Sequence, residues 1–234
     1  MIGLLLCAGL GTRLRHITAD IPKCLVPIGE RPLLDFWIES LVSNGIEKIF
    51  INTHHFAGKV KSFIDNHPHH DKITLIYEKE LLGTGGTLRA LADEMASEDV
   101  FMAHADNFCL APMKDFISAH HCRPEIAKMV MMTFRTQTPS SCGIVELDDD
   151  NIVKNFHEKV DYPIGNLANG AVFILDPSVV EFVKQQPQSH LDFSRDIVPK
   201  FMGHILAWEN TVYHRDIGTP ESYEACQIDW EKMK

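Results

Sequence analysis

The chain opens Met1-Ile2-Gly3-Leu4-Leu5-Leu6-Cys7-Ala8-Gly9-Leu10-Gly11-Thr12-Arg13-Leu14, and the fold is read outward from this stretch. Residues 1–7 form an apolar run that ends at a Gly-x-Gly turn, the pattern of a buried strand feeding a tight loop. Gly9 and Gly11 permit positive φ and close backbone approach, so the loop can present amide N–H groups to an anion. Arg13 adds a guanidinium suited to clamping phosphate oxygens. A dinucleotide-binding turn wants a third glycine where Leu14 stands. The Gly-Lys-Ser/Thr of a P-loop is absent.

Beyond the loop, short β-like runs alternate with helical ones. Pro32–Asn44 carries Leu34, Trp37, Ile38 and Leu41 at helical spacing, with Gly45 just past the end. Strands are expected at Lys48–Thr53, Ile73–Glu78 and Asp99–Ala105. Helices are expected at Ala57–Asn66, Thr84–Met95 and Pro112–His121. This βαβα rhythm predicts an α/β fold, Rossmann-like, with a mostly parallel sheet and helices on both faces. After about Ala127 the rhythm changes to strands at Lys128–Phe134, Gly143–Leu147, Ile152–His157 and Ala168–Leu175, with a hairpin turn at Asp148–Asn151. No repeat or low-complexity linker interrupts the chain. One domain of two lobes is expected, about 1–126 and about 127–234.

The 234 residues carry a formal net charge of −10 and 45% hydrophobic residues. That balance argues against nucleic acid or an anionic membrane surface as the main partner. Residues 1–31 run against it, with Arg13, Arg15, Lys23 and Arg31 facing only Asp20 and Glu30. A small anion could be focused there. The longest apolar run, Ile2–Leu10, is well short of the ~20 residues of a spanning helix and lacks a signal-peptide pattern. The six cysteines show no CxxC spacing, which suits a reducing cytoplasm. Cys7 is expected to be a small buried residue rather than a nucleophile. The run Met129, Met131, Met132 reads as core. His67-Pro68-His69-His70 and His120-His121-Cys122 have ligand types that suggest a transition metal, but with no second anchoring pair they read as exposed loop residues.

Five further motifs complete the pattern. The first is Pro22-Lys23-Cys24-Leu25-Val26-Pro27-Ile28-Gly29. Next comes a glycine turn, Leu82-Gly83-Thr84-Gly85-Gly86, preceded by Glu78, whose exposed amides could read a base edge. Asp106 follows at the end of the fourth strand, where ligands bind in open α/β sheets. The last two are Phe156-His157-Glu158-Lys159 and Asp216-Ile217-Gly218-Thr219-Pro220. In this order, with the opening loop, they resemble the signatures of the sugar-1-phosphate nucleotidyltransferase family over Met1 to about Tyr223. The look is nearest to mannose- and heptose-1-phosphate guanylyltransferases. His16, Cys24, Ala105 and Val160 depart from the family pattern.

The resemblance implies a nucleotide-diphospho-sugar transferase fold, a nucleotide-binding first lobe and a smaller sugar-binding second lobe. It implies an enzyme that couples a nucleoside triphosphate, GTP favoured, with a sugar 1-phosphate, releasing pyrophosphate. Uridylyl and thymidylyl transfer share much of the pattern, and a catalytically inactive nucleotide-sugar sensor is the rival of another class. The resemblance places nucleotide at Leu6, Ala8, Gly9, Gly11, Thr12, Arg13, Lys23, Glu78, Gly83, Thr84 and Asp106. Sugar phosphate falls to Gly143, Glu158, Lys159 and Asn169, and Mg²⁺ to Asp106 and Asp216. Arg13, Lys23 and Asp106 are the expected catalytic residues. The length resembles that of stand-alone catalytic cores, and self-association is left open.

Overall fold

A computed structural model describes residues 1–14, 17–95 and 97–234. Arg15 and His16, named above for their charge and for the departure from the family pattern, lie outside the described residues. The fold is α/β, with a mostly parallel central sheet flanked by helices. It divides into two compact units, each drawing on more than one stretch of chain. One comprises Ile2–Leu81, Ala103–Leu110 and Tyr213–Lys234, and the other Met1, Leu82–Met102 and Ala111–Val212. The lobes expected from the sequence were single stretches.

In the first unit, β1 (Ile2–Leu6), β2 (Ile49–Thr53) and β3 (Ile73–Tyr77) pair in parallel. Every residue of β1 and β2 is buried, as a near-continuous apolar run predicts for strands covered on both faces. The register aligns Leu6, Asn52 and Ile76 at the carboxyl ends. The amide of Ala105 donates to the Leu6 carbonyl at 3.1 Å, so the residues after strand Val100–His104 finish beside the loop. Helix α1 (Leu33–Ser43) buries Leu33, Leu34, Trp37, Ile38 and Leu41. It stops before Gly45, whose φ of 84° is open to glycine at little cost. Helix α2 (Ala57–Asp65) buries Val60 and Ile64.

A two-stranded ladder not foreseen in the sequence decides the site. Asn107–Leu110 pairs antiparallel with Tyr213–Asp216, in a register that sets Asp216 opposite Asn107. Behind it lies a core of Val26, Ile28, Leu33, Phe108, Ile217 and Cys226. The Trp37 indole N–H donates to the Asn107 carbonyl at 2.9 Å, tying α1 to the same ladder.

In the second unit, Met129–Arg135 pairs antiparallel with Leu167–Leu175 and parallel with Ile205–Glu209. The expected hairpin forms between Gly143–Leu147 and Val153–Glu158, with Asn151 at a φ of 61° in its turn. Met129, Met131 and Met132 are fully buried. The helix expected at Thr84–Met95 is two, Thr84–Ala90 and Ala92–Met95. The Leu91 amide is shared between the Thr87 and Leu88 carbonyls, a tightened last turn that ends the first helix. The helix Pro177–Lys184, capped by Asp176, is additional to expectation. His67 and His120 are buried, which corrects their reading as exposed loop residues. Each imidazole stands 3.0 Å from a carboxylate, Asp35 and Asp99 respectively, and that pairing permits burial.

Candidate functional site

Lys23 sits in a 3₁₀ turn, Lys23–Leu25, held between Pro22 and Val26. Its side chain is only 6% exposed, and Nζ lies 2.9 Å from Asp106 Oδ2 and 3.1 Å from Asp216 Oδ1. Three separate stretches of sequence thus meet at one ammonium, because the ladder beneath holds residues 106 and 216 side by side. Burial pulls the Lys23 pKa down, but the charges of Asp106 and Asp216 outweigh it and leave the pKa raised. For Asp106, burial pushes upward most, but the Lys23 charge, His104 and the hydrogen bonds together outweigh it, leaving the carboxylate below its ordinary value. Both groups are therefore charged at neutral pH.

Arg13 follows the glycine loop and is mostly exposed, with Nη2 3.8 Å from Asp216 Oδ2. Of the two loop glycines, Gly11 adopts a positive φ, 60°, and Gly9 does not. Thr18 steadies the loop, its hydroxyl 3.0 Å from both the Gly11 and Leu14 carbonyls. Gly218 has a separate reason to lack a side chain. A Cβ there would stand 2.7 Å from Arg13 Nη2 and 2.9 Å from Asp216 Oδ1, so the guanidinium and the carboxylate lie across a bare backbone. Thr12 opens the turn Thr12–Leu14, and Leu6 and Ala8 are buried at its base. Cys7 is also buried, and desolvation first, then its neighbour Cys24, pushes its thiol well up. It is a packed residue.

Asn52 is the residue that sequence reasoning missed. It is buried near the end of β2, and its Oδ1 accepts from the Cys7 amide at 2.6 Å and the Ala8 amide at 3.3 Å. Its Nδ2 donates to Glu78 Oε1 at 2.9 Å. One amide side chain thereby fixes the start of the glycine loop and the buried carboxylate of Glu78 together. A buried polar residue directly after the apolar run Ile49–Ile51 was the available signal.

Within the other unit, Gly83 and Thr84 form the turn at the start of helix Thr84–Ala90. The amides of Gly85 and Gly86 donate to the Leu191 carbonyl at 2.8 and 3.0 Å, and the Phe193 amide donates to Thr84 Oγ1 at 2.8 Å. The amides expected to stand exposed at Gly85 and Gly86 are thus engaged by a segment about a hundred residues downstream. The remaining four predicted residues gather on the hairpin Gly143–Leu147 and Val153–Glu158, the residue after it, and the neighbouring strand Leu167–Leu175. Glu158 is opposite Gly143, and Ala168 is opposite Ile144. Extending that register by one residue puts Asn169 beside Gly143, in a row with Glu158. A Cβ on Gly143 would meet Phe156 Cζ at 2.5 Å and Glu158 Oε2 at 2.6 Å. Lys159 leaves the strand at a φ of 51°, with Nζ 3.6 Å from Glu158 Oε1. Asn169 Oδ1 accepts from the Ala171 amide at 2.8 Å.

Among the described residues, then, one unit assembles a cation-and-carboxylate cluster beside a glycine loop. The other assembles a carboxylate, a lysine and an amide over a glycine. The family profile of the nucleotidyl transferases matches residues 2–232. The chain belongs to that family. A mannose-1-phosphate guanyltransferase of Pichia angusta is 30% identical over 95% of the chain and 62% of the relative. The catalytic subunit beta of mannose-1-phosphate guanylyltransferase from Drosophila pseudoobscura pseudoobscura is 30% identical over 94% of the chain and 60% of the relative. The chain therefore spans about three-fifths of the length of these curated relatives. Among solved structures, HddC from Yersinia pseudotuberculosis, in complex with GMP-PN, is 28% identical with a TM-score of 0.80, covering 100% of this chain and 99% of that one. A putative glucose-1-phosphate thymidylyltransferase from Bacillus anthracis aligns with a TM-score of 0.90 at 19% identity, over 100% of this chain and 97% of that one, a likeness of fold. No described helix is long and apolar enough to cross a membrane.

Proposed function

We propose that this chain of the nucleotidyl transferase family joins a nucleoside triphosphate to a sugar 1-phosphate, giving a nucleotide sugar and pyrophosphate. The observation that carries the reading is the buried Lys23 ammonium between Asp106 and Asp216, with Arg13 alongside. The reaction brings two polyanions together, and its chief demands are positioning and charge stabilisation. A sugar phosphate already bears an unprotonated oxygen at neutral pH, so no general base is needed. That oxygen attacks the α-phosphorus as the bond from the α-phosphorus to the bridging oxygen breaks and pyrophosphate leaves.

In this reading Arg13 and the glycine loop hold the departing pyrophosphate, and Lys23 faces the α-phosphate. Lys159 holds the sugar phosphate, while Glu158 and Asn169 meet sugar hydroxyls. Asp106 and Asp216 suit Mg²⁺, which is content with one or two carboxylates and phosphate oxygens. Both carboxylates already face one cation, the Lys23 ammonium. When bound, the metal would neutralise and polarise the phosphoryl oxygens.

GTP is the favoured nucleotide and a mannose- or heptose-type phosphate the favoured sugar. Glu78, pinned by Asn52, has the acceptor chemistry for guanine N1–H and N2–H₂, and the two relatives named as guanyl- and guanylyltransferases point the same way. The test is pyrophosphate release from each nucleoside triphosphate against a panel of sugar 1-phosphates, with and without Mg²⁺. Release with UTP or dTTP but not GTP would overturn the base assignment. Binding of nucleotide sugar without any turnover would favour a sensor over an enzyme.

A further inference from the structure

We propose that the first unit carries a second metal site, for a late first-row divalent cation such as Zn²⁺, built from Asp35, Glu39, His67 and His69. The cluster plays no part in the transfer reaction described above. Asp35 and Glu39 are four residues apart on α1, so both project from one face. His67 and His69 come from the segment after α2. The donor atoms of Asp35, Glu39 and His67 all lie within 4.8 Å of one another. His67 Nε2 is 3.0 Å from Asp35 Oδ1, and His69 Nε2 is 3.2 Å from Glu39 Oε1. Ligand bonds of ~2.0–2.1 Å in a tetrahedron put neighbouring donors about 3.3 Å apart. The His67–Asp35 and His69–Glu39 edges are already near that length, while His69 stands outside the group of three and must swing inward to complete the set.

The donor set chooses the ion. Two imidazoles with two carboxylates suit Zn²⁺ and its neighbours, whereas the carboxylates of Asp106 and Asp216 suit Mg²⁺. A further contact orients the set as outer partners orient metal ligands. Arg31 Nε donates to Asp35 Oδ2 at 2.6 Å, leaving Oδ1 turned to His67. The His67 side chain is 2% exposed, while that of His69 is 28% exposed and that of Glu39 44%. The cluster is therefore anchored on a buried ring and reachable from solvent on its other side.

Without metal, the His69 amide donates to His67 Nδ1 at 3.1 Å. That bond places the imidazole proton on Nε2, where it donates to Asp35. Binding moves the proton: Nε2 releases it and takes the metal, Nδ1 is protonated, and the His69 amide contact opens. Two hydrogen bonds of the metal-free turn, His69 N–H to Nδ1 and Nε2–H to Asp35, are thereby exchanged for bonds to the ion. Opening that turn also frees His69 to bring its own ring onto the ion.

The test uses untagged, metal-stripped protein titrated with Co²⁺ as the spectroscopic stand-in for Zn²⁺. Expected is one equivalent of tetrahedral Co²⁺ with strong visible ligand-field absorption, bleached by Zn²⁺ and untouched by excess Mg²⁺. His69→Ala and Glu39→Gln should each weaken binding tenfold or more, while their metal-free melting temperatures match the parent. His67→Ala is less informative because the ring is buried. Asp106→Asn, which alters the other carboxylate pair, should leave the signal intact. Absent tetrahedral absorption, or equal affinity in the parent, His69→Ala and Glu39→Gln, overturns the proposal and leaves two plain histidine–carboxylate pairs.

Discussion

Replacing Lys23 with methionine keeps an unbranched apolar stem and deletes the terminal ammonium with its charge and donors. Nζ lies 2.9 and 3.1 Å from two carboxylates. Each contact is worth roughly 5–6 kcal/mol gross at an effective dielectric of ~20. Desolvation of the ammonium cancels most of that, and both carboxylates are partly open to water, so the net loss should be about 2 kcal/mol. For a chain of this size that lowers the melting temperature by roughly 4–8 °C. The raised Lys23 pKa means this stability is complete below the ordinary value of 10.5 and is lost as pH rises through the folded-state value. The two carboxylates, no longer neutralised, should bind Mg²⁺ more readily, so Mg²⁺ should recover more of the melting temperature in the variant than in the parent. Turnover should fall ~10²-fold or more, as for loss of a preorganised charge. The assay is differential scanning calorimetry across a Mg²⁺ series, paired with pyrophosphate release. An unchanged melting temperature together with an unchanged Mg²⁺ response would refute the claim that this ammonium holds the two acids together.

Asn52→Leu should cost about 2–3 kcal/mol by orphaning buried amides, read from the denaturant midpoint, and should raise the KM for nucleotide. Asn52→Asp keeps an acceptor for Cys7 and Ala8 but sets a second buried carboxylate against Glu78, so it should lower the denaturant midpoint at neutral pH and regain part of it as pH falls and one carboxyl takes up a proton. Gly218→Ala crowds the mobile ends of Arg13 and Asp216; turnover should drop tenfold or more while the melting temperature moves by under about 2 °C, within the usual range for a surface change. Asp176 accepts from the Ser178 amide at 2.9 Å and Arg123 Nη2 at 2.7 Å, and Asp176→Ala should cost ~1–2 kcal/mol as a lost cap. Burial raises the Asp176 pKa, but Ser178 and Arg123 pull it below the ordinary 3.8. Its contribution is therefore present above pH 3.8 and lost as pH falls further. Denaturation curves from pH 6 downward should show a shallower acid limb in the variant.

Elements built on local pattern were legible in the sequence. The apolar run of β1, the helical spacing of Leu34, Trp37, Ile38 and Leu41, and the Asp148–Asn151 turn all appear close to where periodicity put them. The gathering of Lys23, Asp106 and Asp216 was expected from motif order, yet its cause was not. The ladder between Asn107–Leu110 and Tyr213–Asp216 joins short strands about a hundred residues apart, and no local periodicity encodes such a pairing. The same distance hid the Leu191 carbonyl that occupies the Gly85 and Gly86 amides. Helix Pro177–Lys184 was a different matter: Asp176-Pro177 with Val179, Val180 and Val183 is a legible start signal and apolar face. His67 and His120 were taken for surface residues because the carboxylates that shelter them come from elsewhere in the chain.

The interleaved first unit has a consequence for biosynthesis. Its opening stretch ends at Leu81 and its last begins at Tyr213, an interval of roughly 7–26 s at ribosomal rates of ~5–20 residues per second. Until that final stretch is made, Asn107–Leu110 has no partner strand and Lys23 lacks one of its two acids. The nascent chain must carry a half-built cation-and-carboxylate cluster until residues 213–216 emerge. Loss of the residues from Tyr213 onward, by a premature stop or a nick, would remove Asp216 and half of the ladder at one stroke.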